Sequence, residues 1–321
     1  MTIEFGAHIE PQLGFDYVNI EKIAIEAEKF GYDSFWCSDH LFLDDESEEK
    51  NCMEAWTLLA ALAAKTNKIR LGTMVTCNSY RHPPLLAKIA ATIDMISNGR
   101  LIFGYGAGWK KIEYEAYGYP FPSLKERMDR MEEAIQIIRL LWTEPKPSFT
   151  GKYYSIKDAF SAPKPIQKPY PPILIGGDGE KRTLKAVAKY ADFCNLFPKT
   201  VLEHKLNVLK EHCKDIGRDY SAVRKSLFTA WPSVFIAESE DELEAHFAYR
   251  AEQRKMSIAE VKEFLSKDFP GSWVGYAEDI RDRFQHFIDL GFDYFMVSFP
   301  GLGDDYIKSS QIFAKKIIAK L

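Results

Sequence analysis

The chain of 321 residues predicts a single (β/α)8 barrel with one insertion, and three observations carry that reading. Short apolar runs alternate with longer stretches of helical period along the whole chain, eight apolar runs fit strands, and glycine clusters stand where two of those strands end. A barrel keeps its chemistry at the C-terminal strand ends, which is where the glycines fall. Hydrophobic residues make up 46% of the chain and aromatics 14%, enough for a large core.

Taken in order, Ile3–His8 is expected as a strand. Ile20–Phe30 is expected as a helix, because Ile20, Ile23, Ala24 and Ala27 share one face. The alternation continues through strand Ser34–Ser38, helix Glu54–Lys65, strand Arg70–Thr76, helix Leu85–Ser97, strand Leu101–Tyr105 and helix Leu124–Thr143. Proline then breaks the pattern: Pro145, Pro147, Pro163, Pro165, Pro169, Pro171 and Pro172 can neither donate to a ladder nor continue a helix. Residues 145–172 are therefore expected as an insertion between strands four and five, with a short hairpin about Thr150-Gly151. Beyond it the expected elements are strand Ile173–Ile175, helix Glu180–Tyr190, strand Phe193–Leu196, helix Val201–Ile216 and strand Ser226–Phe235. A helical region near 241–265, helix Asp279–Leu290 and strand Tyr294–Ser298 complete a single domain spanning 1–321.

Lys and Arg number 42 against 46 Asp and Glu, a net charge of −4 with no long basic run, so nucleic acid is not an expected partner. The five cysteines are scattered, odd in number and never in a C-x-x-C pair, which reads as reduced thiols in a cytoplasmic protein. The N-terminus lacks a basic region followed by an apolar stretch, and no apolar run is long enough to span a bilayer, so neither export nor membrane insertion is expected. Metal-binding spacings such as H-x-H and H-E-x-x-H are absent, and no metal is expected. G-x-S-x-G and the P-loop pattern are absent too, which removes serine hydrolase and P-loop NTPase readings.

The glycine clusters are Gly104-Tyr105-Gly106-Ala107-Gly108 and Gly176-Gly177-Asp178-Gly179. Each leads toward a helix start, whose free N–H groups and positive dipole end suit a phosphate, while a plain turn is the structural alternative for either one. Strand two runs into Asp39-His40, where a carboxylate can fix the tautomer of a proton-transferring imidazole, or where Asp39 caps a turn and His40 packs in a loop. His8 ends strand one and reads as a core histidine or a substrate contact. His82 lies in the loop after strand three, and His204, His212, His246 and His286 read as helix-surface residues. Trp109, Glu113 and Tyr117 are spaced to line one side of a helical turn, where aromatics could wall a flat ring, or where they staple the loop, the reading that suits Tyr117 better.

Several stretches together resemble the bacterial-luciferase-like superfamily, in its branch of coenzyme F420-dependent oxidoreductases. They are Ser38-Asp39-His40, Leu71-Gly72-Thr73 through Tyr80-Arg81-His82-Pro83, Gly106-Ala107-Gly108-Trp109 with Glu113-Tyr114, and Pro163 through Pro169 leading to Ile175-Gly176-Gly177. The resemblance implies a barrel with a flavin or deazaflavin ring across its mouth. It implies that Asp39 and His40 serve the ring region and proton transfer. It also implies that Met74-Val75-Thr76 form a bulge with a non-prolyl cis peptide under the ring, and that Gly108, Gly176, Gly177 and Gly179 approach the cofactor tail, with Trp109 and Glu113 in the same loop. Sugar-phosphate and secondary-alcohol dehydrogenases of this branch carry a tryptophan four residues after the histidine, where this chain has Asp44, and the resemblance to those two is correspondingly weaker.

The expected activity is hydride transfer between C5 of coenzyme F420 and a small organic substrate, with His40 as proton donor or acceptor. The alternatives are an FMN-dependent monooxygenase using reduced flavin and oxygen, and a flavin-binding barrel without catalysis. A basic rim of Lys110, Lys111, Lys181 and Arg182 would suit the acidic tail of F420. A homodimer through helices beside strands two and three is expected from the resemblance.

Overall fold

The computed structural model describes residues 2–198, 201–229, 233–267 and 273–321. The first half runs β1 (Glu4–Ile9), α1 (Tyr17–Phe30), β2 (Ser34–Cys37), α2 (Ala55–Lys65), β3 (Arg70–Thr73), β4 (Thr76–Cys77), α3 (Pro83–Ile96), β5 (Leu101–Gly106), α4 (Lys111–Ala116) and α5 (Leu124–Thr143). A small antiparallel hairpin, β6 (Phe149–Thr150) and β7 (Ser155–Ile156), follows within the proline-rich segment. Next come β8 (Ile173–Gly176), α6 (Thr183–Tyr190), β9 (Phe193–Leu196), α7 (Leu202–Asp215), β10 (Arg224–Thr229), β11 (Phe235–Ile236), α8 (Glu240–Arg254) and α9 (Ile258–Lys267). The chain closes with β12 (Val274–Gly275), α10 (Ala277–Asp289), β13 (Tyr294–Val297) and α11 (Asp304–Lys316).

Strands pair in parallel in the order β3-β2-β1-β13-β10-β9-β8-β5, and β5 pairs back with β3, closing an eight-stranded barrel among the described residues. Inside it, the indole of Trp36 lies across β1 and β3. An added Cβ at Gly6 would come within 2.7 Å of Trp36 Cδ1, and one at Gly72 would collide with the same ring. These two glycines exist to admit a tryptophan, and Ser34 Oγ ties it down, accepting from Trp36 Nε1 at 2.7 Å and from Tyr294 Oη at 2.6 Å. Outside the barrel, Phe5, Phe284, Phe295 and Phe313 pack edge-to-face and stacked to seat α10 and α11.

Three features differ from expectation. The strand anticipated at Ser226–Phe235 ends at Thr229. Its residues 230–232 lie outside the described residues, and Phe235–Ile236 pairs instead with Val274–Gly275, away from the barrel. The helical region near 241–265 is two helices, parted at Lys255, which is left-handed (φ 53°) and ends α8. His246 is accordingly not a surface residue: it stacks on Phe235 at 3.9 Å, and its Nε2 accepts from Arg250 Nε at 2.8 Å. Helix α11 has no counterpart in the expected elements.

Candidate active site

The mouth is shaped first by a break in the third barrel strand. Gly72 lies opposite Ile102, but Thr76 lies opposite Tyr105, so the segment from Gly72 to Thr76 has one residue more than the stretch of β5 it faces. The surplus makes a bulge at Met74-Val75, whose connecting peptide is cis. Val75 stands half-buried on an apolar floor that includes Met74, Ile102, Leu174 and Met296. Its methyls fill the space left by glycine on the facing strands, with Cγ2 2.7 Å from an added Cβ at Gly106 and Cγ1 3.1 Å from one at Gly176. Thr76 is fully buried, with its hydroxyl 2.5 Å from that of Thr73. Of the expected ring-contacting trio, Met74 and Val75 belong to the floor, and Thr76 is buried against Thr73.

His40 stands on the loop after β2, and its carboxylate partner is Glu113 rather than Asp39. Nδ1 lies 3.1 Å from both Glu113 oxygens. The Glu113 carboxylate also accepts from Leu41 N at 2.7 Å, Phe42 N at 3.3 Å and Tyr80 Oη at 2.7 Å, with Lys110 Nζ at 3.5 Å. Burial pushes this carboxyl up, and the bonds and charge of His40, with Tyr80 and the Leu41 amide, outweigh burial and hold it at about 2. A carboxylate anchored by so many donors fixes the imidazole tautomer. With Nδ1 engaged, Nε2 is the ring atom left to act on a ligand.

Asp39 serves the floor. Its carboxylate takes Arg81 bidentately, both contacts at 2.8 Å, and accepts from Cys77 N at 2.9 Å, pinning the strand just past the bulge. Arg81 also reaches Glu54, which caps α2 by accepting from Thr57 N at 2.6 Å. Burial opposes the Arg81 charge, but Asp39 and Glu54 more than offset it and raise its pKa. Tyr80 and Arg81 stood in the resembling stretch without an assigned role, and the chain separation of about forty residues to Asp39 hid the pairing.

The other expected residues divide. Trp109 is exposed and meets His40 edge-on at 5.8 Å, so it borders the mouth. Tyr117 does not join it on one helical side, because Trp109 precedes α4, and Tyr117 stacks on Phe42 instead. Glu113 is fully buried behind His40 and is no ligand wall. Gly108 has φ +80°, and an added Cβ would strike Tyr114 Oη, whose hydroxyl lies 3.1 Å from Cys77 Sγ. Gly177, at φ +122°, turns the chain off β8 toward the start of α6, and its N–H is held by Asn195 O at 3.1 Å. Gly179 lies exposed beside Thr183 in the same turn.

His8 lies inside the barrel, fully buried, with Nδ1 2.8 Å from Ser298 Oγ and its ring against Phe228; Nε2 has no hydrogen-bond partner among the described residues. Burial, then the charge of His40, lowers its pKa to about 3, so it is neutral. His82 is exposed at the start of α3, edge-on to Tyr154 of the hairpin segment. Of the expected basic rim, Lys181 is exposed and the other three cations are engaged by neighbouring groups. Lys110 donates to Phe42 O and Leu43 O at 2.5 Å, Lys111 pairs with Glu115, and Arg182 pairs with Asp129 and Glu132. Among the described residues no group of three or more His, Cys, Asp or Glu could hold a metal ion, and no helix is long and apolar enough to cross a membrane.

A family model described as luciferase-like monooxygenase matches residues 2–294. The chain belongs to the luciferase-like monooxygenase family. This luciferase-like enzyme is 29% identical over 313 residues to an F420-dependent glucose-6-phosphate dehydrogenase of Microbacterium testaceum, covering 92% of this chain and 90% of that protein. A protein of the same description from Amycolatopsis mediterranei is 36% identical over 174 residues, a match that covers 54% of this chain and half the length of that relative. Among solved structures, an F420-dependent secondary alcohol dehydrogenase superposes with a TM-score of 0.79 at 21% identity. A monooxygenase from Streptomyces bottropensis superposes at 0.78 and 20%. Both matches cover 99% of each chain, and at those identities they speak for the shared barrel.

Proposed function

We propose that this luciferase-like enzyme is a coenzyme F420-dependent oxidoreductase that moves a hydride between the deazaflavin C5 and a small organic substrate. The observation that carries the reading is the His40–Glu113 pair at the mouth, 3.1 Å apart and beside the Met74–Val75 floor. The names of the curated relatives agree with it.

The residues present fit such a group. Met74 and Val75 give an apolar floor that a flat ring would rest on, Trp109 borders it, and the Gly176-Gly177-Asp178-Gly179 turn before α6 would take the phosphate. Bound there, the deazaflavin would supply the hydride. The chain's own part is acid–base work: Glu113 holds the imidazole still, and His40 gives or takes the proton at a substrate oxygen or nitrogen. Asp39 acts through Cys77 and Arg81 as a positioning residue, and His8 stands beneath as a neutral, apolar-packed substrate neighbour. Asp44 spends its carboxylate on Glu46 N and Ser47 Oγ, building its own turn, so that position adds no wall to the mouth.

The same reading includes a homodimer, supported by exposed Val18 on α1 and exposed Leu85 and Met95 on α3, and tested by light scattering. For the cofactor, absorbance and fluorescence titrations with F420 and separately with FMN decide. Tight F420 binding with weak FMN binding is the expected result, and the reverse preference overturns the proposal in favour of a flavin monooxygenase. His40→Ala is expected to lower turnover ~10²-fold or more while F420 still binds.

A further inference from the structure

The inner face of the barrel is apolar, with Met74, Leu174, Phe228 and Met296 among its members, yet His8 on β1 and Asn195 on β9 bring polar atoms there that go unused. Both side chains are wholly buried, and each bonds through one atom while the other, His8 Nε2 or Asn195 Oδ1, has no hydrogen bond among the described residues. A serine fixes the sense of each. Ser298 Oγ donates to His8 O at 3.1 Å, a carbonyl that also accepts from Tyr306 Oη at 2.6 Å, so its one proton is spent and it accepts from Nδ1–H at 2.8 Å. In the neutral ring Nε2 is then a bare lone pair. Ser226 Oγ likewise donates to Cys194 O at 3.2 Å and accepts from Asn195 Nδ2 at 3.2 Å, which leaves Oδ1 as a second bare acceptor. The two share a wall. Asn195 stands level with Ser226, and Ser226 and Phe228, two apart on β10, face the same side, where the Phe228 ring lies 4.4 Å from that of His8. Asn195 is also level with Gly176, where the position of an added Cβ is 3.9 Å from Oδ1 and 3.1 Å from Val75 Cγ1, so the amide lies beside the floor of the mouth.

We infer that His8 Nε2 and Asn195 Oδ1 receive the donor end of the substrate, and that this end is an uncharged hydroxyl or amide N–H on an apolar body. A buried acceptor without a donor destabilises the fold, and a donor brought by a ligand removes that cost. Two lone pairs in an apolar barrel repel a phosphate or carboxylate, and two neutral acceptors do not offset the desolvation of a cation. Val75 and Phe228 supply the apolar contact for the body of the molecule. Neither acceptor meets solvent, so binding includes a turn of the Phe228 ring packed on His8. The inference deepens the oxidoreductase reading and rests on it for calling the occupant a substrate, though not for the acceptor pair. The pair takes no part in proton transfer; it decides which end of the substrate goes in.

The test is an NMR titration of the full chain, nitrogen-labelled at histidine and free of cofactor, with phenol and separately with anisole, which keeps the ring and lacks the donor. The His8 signals are those missing from His8→Phe. Phenol is expected to shift the unprotonated Nε2 resonance and anisole to leave it in place; no movement with phenol up to its solubility limit overturns the inference. Asn195→Leu removes the second acceptor at similar volume. It should weaken phenol binding ~10-fold, the loss of one hydrogen bond, and leave the thermal unfolding midpoint unchanged or higher, because an unsatisfied acceptor is gone. A lower midpoint with phenol binding intact would make Asn195 a purely structural amide and overturn the pair. Should Asn195→Leu fail to fold, the contrast between phenol and anisole in the natural chain decides alone. Repeating the titrations with F420 separates the two readings: failure of F420 to bind would overturn the proposed function, while the cofactor-free response to phenol would still report on His8 and Asn195.

Discussion

At the end of β5 several parts of the protein occupy the space its glycines leave, whereas the glycines after β8 meet the side chain of Thr183. An added Cβ at Gly104 would run into the carbonyl of Thr73, at Gly106 it would meet Val75, and at Gly108 it would strike Tyr114 and come within 2.6 Å of Cys77 Sγ. After β8 the obstacles are mild: Gly177 meets Thr183 Cγ2 at 3.3 Å, and Gly179 meets the movable Thr183 hydroxyl at 2.9 Å. Both clusters suit an anion by composition. One is an internal joint that lets the β3–β4 bulge and α4 fold down against β5, and the other is a more exposed turn beside Thr183. Glycine at a strand end thus does either of two jobs, and what stands opposite decides which.

The largest effect should come from Gly104→Ala, since its new methyl meets backbone that cannot move aside. A loss of about 3 kcal/mol or more in urea unfolding is expected, and a loss under about 1 kcal/mol would break the contrast between the two ends. Next is Glu113→Gln, which tests whether the helix hung from the β5 end holds the site's charge. The folded carboxyl sits at about 2 against an ordinary 4.5, so its contribution is complete above pH about 4.5 and drains away as pH falls toward 2. That contribution is about 3 kcal/mol, so Glu113→Gln should be less stable at neutral pH and flatter across that acid window in pH-dependent thermal unfolding. A variant whose profile matches the parent would show that Glu113 is not the anchored ion described above. The smallest stability change should follow Gly177→Ala, about 1–2 kcal/mol from its positive φ, accompanied by a ~10-fold loss of F420 affinity. Undiminished binding would remove the β8 end as the phosphate turn.

Local signals were enough for the strands and for most helices, because alternation and helical period are properties of neighbouring residues. They failed where a distant partner overrode them. His246 looked polar-faced on a helix until Phe235, on a strand paired with Val274–Gly275, came to cover it. Asp39 looked like the partner of its neighbour His40, yet Arg81, 42 residues on, claims it, and Glu113, 73 residues on, takes the imidazole.

The sequence by itself determined the order of strands and helices, the proline-rich insertion, the position of His40 at a strand's C-terminal end and, through resemblance, the family. Only the tertiary structure decided which carboxylate anchors His40 and which glycine cluster the protein's own side chains fill. The physical reason is that charge state and open space depend on hydrogen-bond donors and van der Waals neighbours brought together by closure of the barrel. Glu113 is an ion because Leu41, Phe42 and Tyr80 converge on it.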